Sequence, residues 1–263
     1  MKQGVSTTLG QARRMNATRA IALCQCFNGA LEFQAGHWDE AEAALRESIQ
    51  LYRRIGAASG EALACQRLGV LQTARGQLGE GLATLEEGVV AAERALMRAH
   101  CLTRLYAAMA RNRLTSGDVS AAGQALALGL AMSQRHGHCT TCDALLLPVA
   151  VSVRIAQGDL PAAEAACRQL DEAAAQYASH TWVAMARQAW GELAAAQGDL
   201  DKALAHYAQA HQGFEVAGYD YEAARCLAAA ADLRLVRRAP GDIELAHAAQ
   251  ADAQHILAQL AMG

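Results

Sequence analysis

A short glycine-containing turn recurs six times along the chain at an interval of about forty residues. The turns read AGHWDEA, RGQLGEG, SGDVSAA, QGDLPAA, QGDLDKA and PGDIELA. Successive glycines are 40, 41, 41, 40 and 43 residues apart, at Gly36, Gly76, Gly117, Gly158, Gly198 and Gly241. A period of this length is typical of arrays in which each repeat is one supersecondary unit. The period therefore constrains the fold more than any other feature of the sequence.

The residues after each glycine follow the same rule in all six turns. The second is apolar, and the fifth is small: Ala41, Gly81, Ala122, Ala163, Ala203 and Ala246. A glycine can close a helix in the left-handed conformation, and an aspartate after it can cap the next helix. Such aspartates are Asp118, Asp159, Asp199 and Asp242. Since a small residue lets two helix backbones approach closely, we predict that each repeat is a helical hairpin.

The hairpin pattern resembles the tetratricopeptide repeat (TPR) family. The second repeat carries the family's leucine–glycine pair at Leu68 and Gly69, and the fifth matches through Gly191, Gly198, Ala203, Tyr207 and Ala210. The resemblance covers roughly residues 20–260 and implies an all-α fold, a right-handed α-α superhelix of about six hairpins. The period exceeds the usual one of about 34 residues. It is similar to the long repeats in the sensor arms of bacterial maltose-regulator and LuxR-like transcription regulators.

We predict a single solenoid over residues 17–263, preceded by a flexible N-terminal segment, 1–16. The predicted repeats are 20–56, 57–97, 98–137, 138–178, 179–218 and 219–263. The sixth repeat is degenerate, because Arg234 replaces a small residue and Gln250 an apolar one. A polar last repeat is typical of a solenoid cap.

The resemblance implies a ligand site on the concave face, which the first helix of each hairpin lines. The polar residues at inward positions are Gln66, Arg104, Arg111, Gln188 and Glu192. Two arginines on one stripe could hold a carboxylate or phosphate through paired hydrogen bonds. The alternative is that they are solvated or paired with neighbouring acids such as Glu192, and so contribute little.

Composition and missing motifs narrow the classes of function. The formal net charge is −3, without the concentrated positive face that nucleic-acid binding requires. The sequence has no phosphate-binding glycine loop, serine elbow or HExxH motif, so we do not expect an enzyme. No apolar run is long enough for a membrane span, the N-terminus lacks a signal-peptide core, and the eight cysteines are too sparse for a disulfide scaffold. We therefore expect a cytoplasmic protein with reduced thiols.

The segment RHGHCTTC, residues 135–142, places His136, His138, Cys139 and Cys142 at the junction between the third and fourth repeats. Zinc prefers such ligands, and His100 and Cys101 at the equivalent junction one repeat earlier could add to them. A thiol at a helix start could instead serve a redox switch. Simple packing of the junction is the third alternative, and the sequence leaves all three open.

Two functional hypotheses follow. In the first, the chain is a non-enzymatic TPR module without a cofactor, and a homodimer is compatible with it. It binds a protein, a peptide or a small effector on its concave face, as the regulatory arm of a bacterial transcription regulator or as its partner. In the second, the chain is a metal- or thiol-responsive sensor that uses residues 136–142, with zinc as the candidate metal.

Overall fold

The structure is a computed structural model that describes residues 2–262, including the side chains of residues 4–260. All regular secondary structure in this range is α-helical, in thirteen helices. They are α1 (Lys2–Arg14), α2 (Thr18–Gln34), α3 (Trp38–Arg54), α4 (Ala58–Ala74), α5 (Leu78–Glu93), α6 (Arg98–Thr115), α7 (Val119–Arg135), α8 (Thr140–Ala156), α9 (Leu160–Tyr177), α10 (His180–Ala196), α11 (Leu200–Ala217), α12 (Asp220–Arg237) and α13 (Asp242–Met262).

From α2 onward, two helices occupy each predicted repeat, although α2 begins two residues earlier than expected. The glycine between the two helices has a φ of 77° to 83° in all six turns, the left-handed conformation predicted for it. Asp118, Asp159 and Asp199 each accept a hydrogen bond from the backbone amide three residues later, at 2.9, 3.2 and 3.1 Å. Local sequence thus determines where these helices end and begin.

Asp242, the fourth predicted cap, has different hydrogen-bond partners from the other three aspartates. Its carboxylate accepts hydrogen bonds from Arg237 at 2.6 and 2.9 Å and from the amide of Ala239 at 2.8 Å. The turn between α12 and α13 is longer than the other five, and Arg238 adopts a positive φ of 54°. Because of this geometry, Asp242 binds back to the end of α12 rather than forward along α13.

The small residues of the repeat allow close helix packing. Ala41, Ala122 and Ala163 are fully buried. A Cβ atom on Gly69 of α4 would lie 2.5 Å from Cγ of Leu85 in α5, which is closer than real Cβ atoms come. The two helices of this hairpin therefore leave no space for even one methyl group.

The chain divides into two compact units, Met1–Cys142 and Asp143–Met262, and the boundary falls within α8. In the first unit each helix from α1 to α7 packs against the next, and α4 also contacts α2 and α6. The first helices of the hairpins thus form one layer there. In the second unit the helices from α9 to α13 likewise pack in sequential order.

The N-terminal segment predicted to be flexible, 1–16, forms α1 over 2–14 instead. Val5, Leu9 and Ala12 lie on one side of this helix, with Ala12 buried, and α1 packs against α2. Arg13 also donates a hydrogen bond to Glu47 at 3.4 Å. The prediction missed α1 because this helix precedes the first glycine turn and has no counterpart in the repeat.

None of the helices within 2–262 combines the length and apolar character that are needed to cross a bilayer.

Candidate functional site

The residues predicted to face inward in the first unit, which we call the arginine stripe, are Gln66 on α4 and Arg104 and Arg111 on α6. All three side chains are half-buried, and α4 packs directly against α6. The structure therefore places these predicted binding residues on two neighbouring helices of one layer. In a half-buried arginine, the aliphatic part of the side chain can pack against neighbouring residues while the guanidinium remains able to contact a ligand.

Arg104 reaches from this stripe to the start of α8. Its Nε donates a hydrogen bond to Sγ of Cys142 at 3.4 Å, and its Nη2 donates to Oγ1 of Thr141 at 3.5 Å. In the sequence, the two arginines and the segment 135–142 are separate candidate sites. Packing of α6 against the loop after α7 brings them into contact.

In the second unit, Gln188 and Glu192 are half-buried on α10. The carboxylate of Glu192 accepts a hydrogen bond from Oγ of Ser152 on α8 at 2.6 Å. Burial raises the pKa of Tyr207, and the negative charge of Glu192 raises it further. Glu192 is thus part of a polar contact between the first helices of the fourth and fifth repeats.

A cluster of two thiols and one imidazole forms at the junction of the third and fourth repeats. His100, Cys139 and Cys142 each contribute one ligand atom, and these atoms lie within 4.8 Å of one another. Sγ of Cys142 is 3.5 Å from Nδ1 of His100. His100 lies in the first turn of α6, Cys139 directly precedes α8, and the amide of Cys142 donates to the carbonyl of Cys139 at 2.8 Å. We call these three residues the His/Cys cluster.

The two histidines that the sequence predicted as ligands lie outside the His/Cys cluster. The ring of His136 stacks on that of His100, with centroids 4.1 Å apart and an angle of 18° between the planes. Oγ1 of Thr103 donates to the carbonyl of Ala99 at 2.9 Å, so it accepts from Nε2 of His136 at 3.3 Å. Nδ1 of His136 is buried and has no hydrogen-bond partner among the residues described. His136 therefore contacts the cluster through the ring of His100.

His138 is directed elsewhere by the backbone. It has a positive φ of 56°, and Nδ1 of its exposed side chain lies 3.3 Å from Oγ of Ser133. Cys101, the other residue predicted from the equivalent junction, is half-buried and is not among the three clustered residues. In the sequence, His100 could have been found from its distance to Cys142, because their separation of 42 positions is close to the length of one repeat.

The groups of the cluster have different environments. Burial raises the pKa of the Cys142 thiol, and the hydrogen bond from Arg104 opposes that shift. Burial acts in the same direction on Cys139, but hydrogen bonds with Thr141 and from nearby backbone amides outweigh it, so the pKa of Cys139 is lowered. The pKa of His100 is lowered by burial and by the neighbouring His136 and Arg104. The neutral imidazole that can coordinate a metal is therefore favoured at His100.

The remaining cysteines belong to the helix packing. Cys24, Cys26, Cys65, Cys167 and Cys226 are all buried. Burial raises the pKa of Cys65, Cys167 and Cys226 to about 12. These thiols are small apolar core residues rather than reactive groups.

A shallow cleft in the first unit contains none of the predicted site residues. It is lined in part by Arg53, Glu61, Glu87, Val90 and Arg94. Arg53 forms ion pairs with Glu61 at 2.7 Å and with Glu87 at 2.6 Å, and Glu61 also pairs with Arg94 at 3.4 Å. The two arginines and two glutamates that line the cleft thus form ion pairs with one another.

No family model matches the sequence, and no curated protein sequence matches it. Several solved structures are similar. One is BtubC (BKLC) from P. vanneervenii, with a TM-score of 0.55 and 17% identity over 84% of this chain and 91% of that chain. A second is Rap protein complexed with Competence and Sporulation Factor, with a TM-score of 0.70 and 12% identity over 92% of this chain and 66% of that chain.

A third similar structure is the APC/C hetero-tetramer Cut9-Hcn1, with a TM-score of 0.65 and 14% identity over 100% of this chain. The match covers 46% of the Cut9-Hcn1 chain, so this chain spans less than half of its length and just under two thirds of the Rap chain. At such identities the likeness concerns the fold alone. It confirms the predicted all-α helical-repeat fold.

Proposed function

We propose that the chain is a non-enzymatic interaction module that binds a protein or peptide through the first helices of its hairpins. The observation that carries this proposal is the placement of Arg104 and Arg111 on α6, beside α4 with Gln66. Two guanidiniums and an amide on adjoining helices offer several donors to one extended ligand. The structural neighbours include Rap protein complexed with Competence and Sporulation Factor, which is consistent with a binding role for this fold.

The donors favour a ligand that carries a carboxylate. A guanidinium presents parallel N–H groups that match the two oxygens of a carboxylate, and such charge-assisted hydrogen bonds are stronger than neutral ones. An acidic peptide side chain, a peptide C-terminus and a small acidic effector all supply that group. The second unit, taken by itself, offers a separate pair of polar groups on α10, the amide of Gln188 and the carboxylate of Glu192.

The finer role that we propose is regulatory. The repeat length of about forty residues is similar to that in the sensor arms of bacterial transcription regulators. On this proposal the chain acts in the cytoplasm as such an arm, or as the partner of a regulator, and contacts no nucleic acid itself.

Selection from a random-peptide phage library, followed by calorimetry with the enriched peptides, tests the binding proposal. We expect acidic peptides to be enriched. Arg104→Ala or Arg111→Ala should lower their affinity by about 10- to 100-fold, which corresponds to the free energy of one hydrogen bond to a charged group. Arg168→Ala is the matched control, because Arg168 is exposed on the second helix α9 and pairs with Glu164 at 2.7 Å. Failure to enrich any peptide, or equal losses in all three variants, would contradict the proposal.

The regulatory role has its own test. The wild-type chain, used as bait in a bacterial extract, should capture a protein with a DNA-binding domain, and the Arg104→Ala/Arg111→Ala double variant should not. Capture only of proteins without such a domain would contradict the regulatory role and leave the interaction proposal standing.

A further inference from the structure

The His/Cys cluster contains sulfur and nitrogen atoms that could bind a metal and that have no part in the proposed binding of a protein or peptide. Thiolates and imidazoles are the ligands that zinc prefers, and this cluster supplies two of the first kind and one of the second. We propose that His100, Cys139 and Cys142 bind one zinc ion at the junction between the third and fourth repeats. This inference does not depend on whether the first helices bind a partner.

The separations in the cluster suit tetrahedral zinc. With Zn–S bonds of about 2.3 Å and Zn–N bonds of about 2.0 Å, neighbouring ligand atoms lie about 3.5 Å apart for sulfur and nitrogen and about 3.8 Å apart for two sulfurs. Sγ of Cys142 and Nδ1 of His100 are already 3.5 Å apart. Since no pair exceeds 4.8 Å, closure around an ion requires a movement of about 1 Å or less.

The surrounding residues orient the ligands. Arg104 donates to Sγ of Cys142 at 3.4 Å, which holds that side chain in place. The ring of His136, itself bonded to Thr103, stacks on His100 and restricts the rotation of its imidazole. Partners of this kind fix ligand direction in metal sites. The orientation of two of the three ligands is therefore maintained by the protein fold.

The charges balance at the site. When the two thiols bind zinc, their protons pass to solvent, and the two thiolates neutralise the two positive charges of the ion. His100 remains neutral as a ligand. Because Cys139 is only half-buried, water can take the fourth tetrahedral position.

The structural ligand set differs from the one suggested by the sequence, and this difference makes the test sharp. His138 and Cys101 lie close in sequence to the ligands but outside the cluster, so His138→Ala and Cys101→Ser are matched controls. His100→Ala, Cys139→Ser and Cys142→Ser each remove one proposed ligand. Cys142 is fully buried, so a substitution there can impair folding. Circular dichroism and thermal melting in the presence of chelator therefore check that each variant folds.

The reduced, metal-free protein is titrated with Co²⁺, which reports thiolate ligation by a charge-transfer absorbance, and is then titrated with Zn²⁺. We expect one equivalent of Co²⁺ to bind and Zn²⁺ to displace it, following the affinity order of these metals. His100→Ala and Cys139→Ser should weaken binding by more than about 100-fold, beyond the effect of losing an outer hydrogen-bond partner. The two control variants should bind as the wild type does.

Three results would overturn the proposal. The first is the absence of charge-transfer absorbance in the reduced wild-type protein. The second is unchanged binding by folded Cys139→Ser, which stays decisive even if Cys142→Ser fails to fold. A loss in His138→Ala or Cys101→Ser as large as that in Cys139→Ser would also count against this ligand set.

Discussion

Nε of Arg104 donates a hydrogen bond to Sγ of Cys142 across 3.4 Å, although the two residues are 38 positions apart. This bond connects the arginine stripe on α6 with the His/Cys cluster at the start of α8. Arg104 is therefore held by a second contact as well as by its own helix. A guanidinium restrained in this way loses less conformational entropy when it binds a ligand.

Arg104→Lys should not preserve peptide binding. Lysine keeps the positive charge but lacks the planar fork that can meet a carboxylate with two parallel bonds while Nε contacts Cys142. We expect peptides selected on the wild type to bind Arg104→Lys about tenfold more weakly or worse, as measured by calorimetry. Affinity equal to that of the wild type would mean that only charge matters at this position.

Gly69→Ala should destabilise the first unit by about 1–3 kcal/mol, as expected for overpacking. The new methyl group would lie 2.5 Å from Cγ of Leu85 and 3.1 Å from the carbonyl oxygen of Gly81. Gly79→Ala in α5 is the matched control, because its Cβ would meet nothing within 4 Å. This control should be neutral or more stable by up to about 1 kcal/mol. Urea denaturation measures both, and equal effects would contradict the packing argument.

Asn112→Ala should lower the free energy of unfolding by about 1–3 kcal/mol, the cost of leaving buried partners unsatisfied. Nδ2 of Asn112 donates to Oγ1 of Thr73 and to the carbonyl of Leu78, both at 3.0 Å. Gln124→Ala, an exposed change on α7, should stay within about 0.5 kcal/mol in the same urea titration. A neutral Asn112→Ala would show that the amide adds no stability.

Asp242→Asn should change how stability depends on pH. Hydrogen bonds from Arg237 lower the pKa of Asp242 despite the opposing effect of desolvation. A lowered pKa in the folded state contributes stability above the ordinary aspartate pKa, and this contribution is lost as the pH falls through the folded value. The variant should therefore be less stable than the wild type near pH 7, and the gap should narrow toward about pH 3. Urea midpoints across this range measure it.

The control for that prediction is Asp252→Asn, which alters an exposed aspartate on the same helix. Its stability difference from the wild type should stay small and nearly constant with pH. A gap for Asp242→Asn that widens on acidification would reverse the sign of the argument.

The buried thiols should resist alkylation in the folded protein. Burial raises the pKa of Cys65, Cys167 and Cys226 to about 12, from an ordinary value of 9.0. Their thiolate-to-thiol ratio is then about a thousandfold smaller than that of an ordinary thiol at the same pH. Iodoacetamide labelling followed by mass spectrometry should modify them in urea but not in native buffer near pH 8. Native labelling of these three at the rate of half-exposed Cys139 would contradict their burial.

From the sequence, the residues of the arginine stripe could be identified only by their positions in the repeat. Transfer of the repeat register placed Gln66, Arg104 and Arg111 on first helices, and the structure has them half-buried on α4 and α6. Their partners could not be found in this way. Thr141 and Ser152, which bond to Arg104 and Glu192, carry no motif, because side-chain partners depend on the packing of neighbouring helices.

The sequence by itself determined the hairpins, since a left-handed glycine and a small packing residue are local requirements that recur in every repeat, and an aspartate caps the second helix in three of them. It did not reveal α1, which lies outside the repeat. Only the tertiary structure determined which histidine lies next to the thiol of Cys142. His138 is four residues away in sequence, but its left-handed backbone directs it to Ser133. His100 lies 42 residues away and stands 3.5 Å from the thiol, because the stacking of hairpins brings successive junctions side by side.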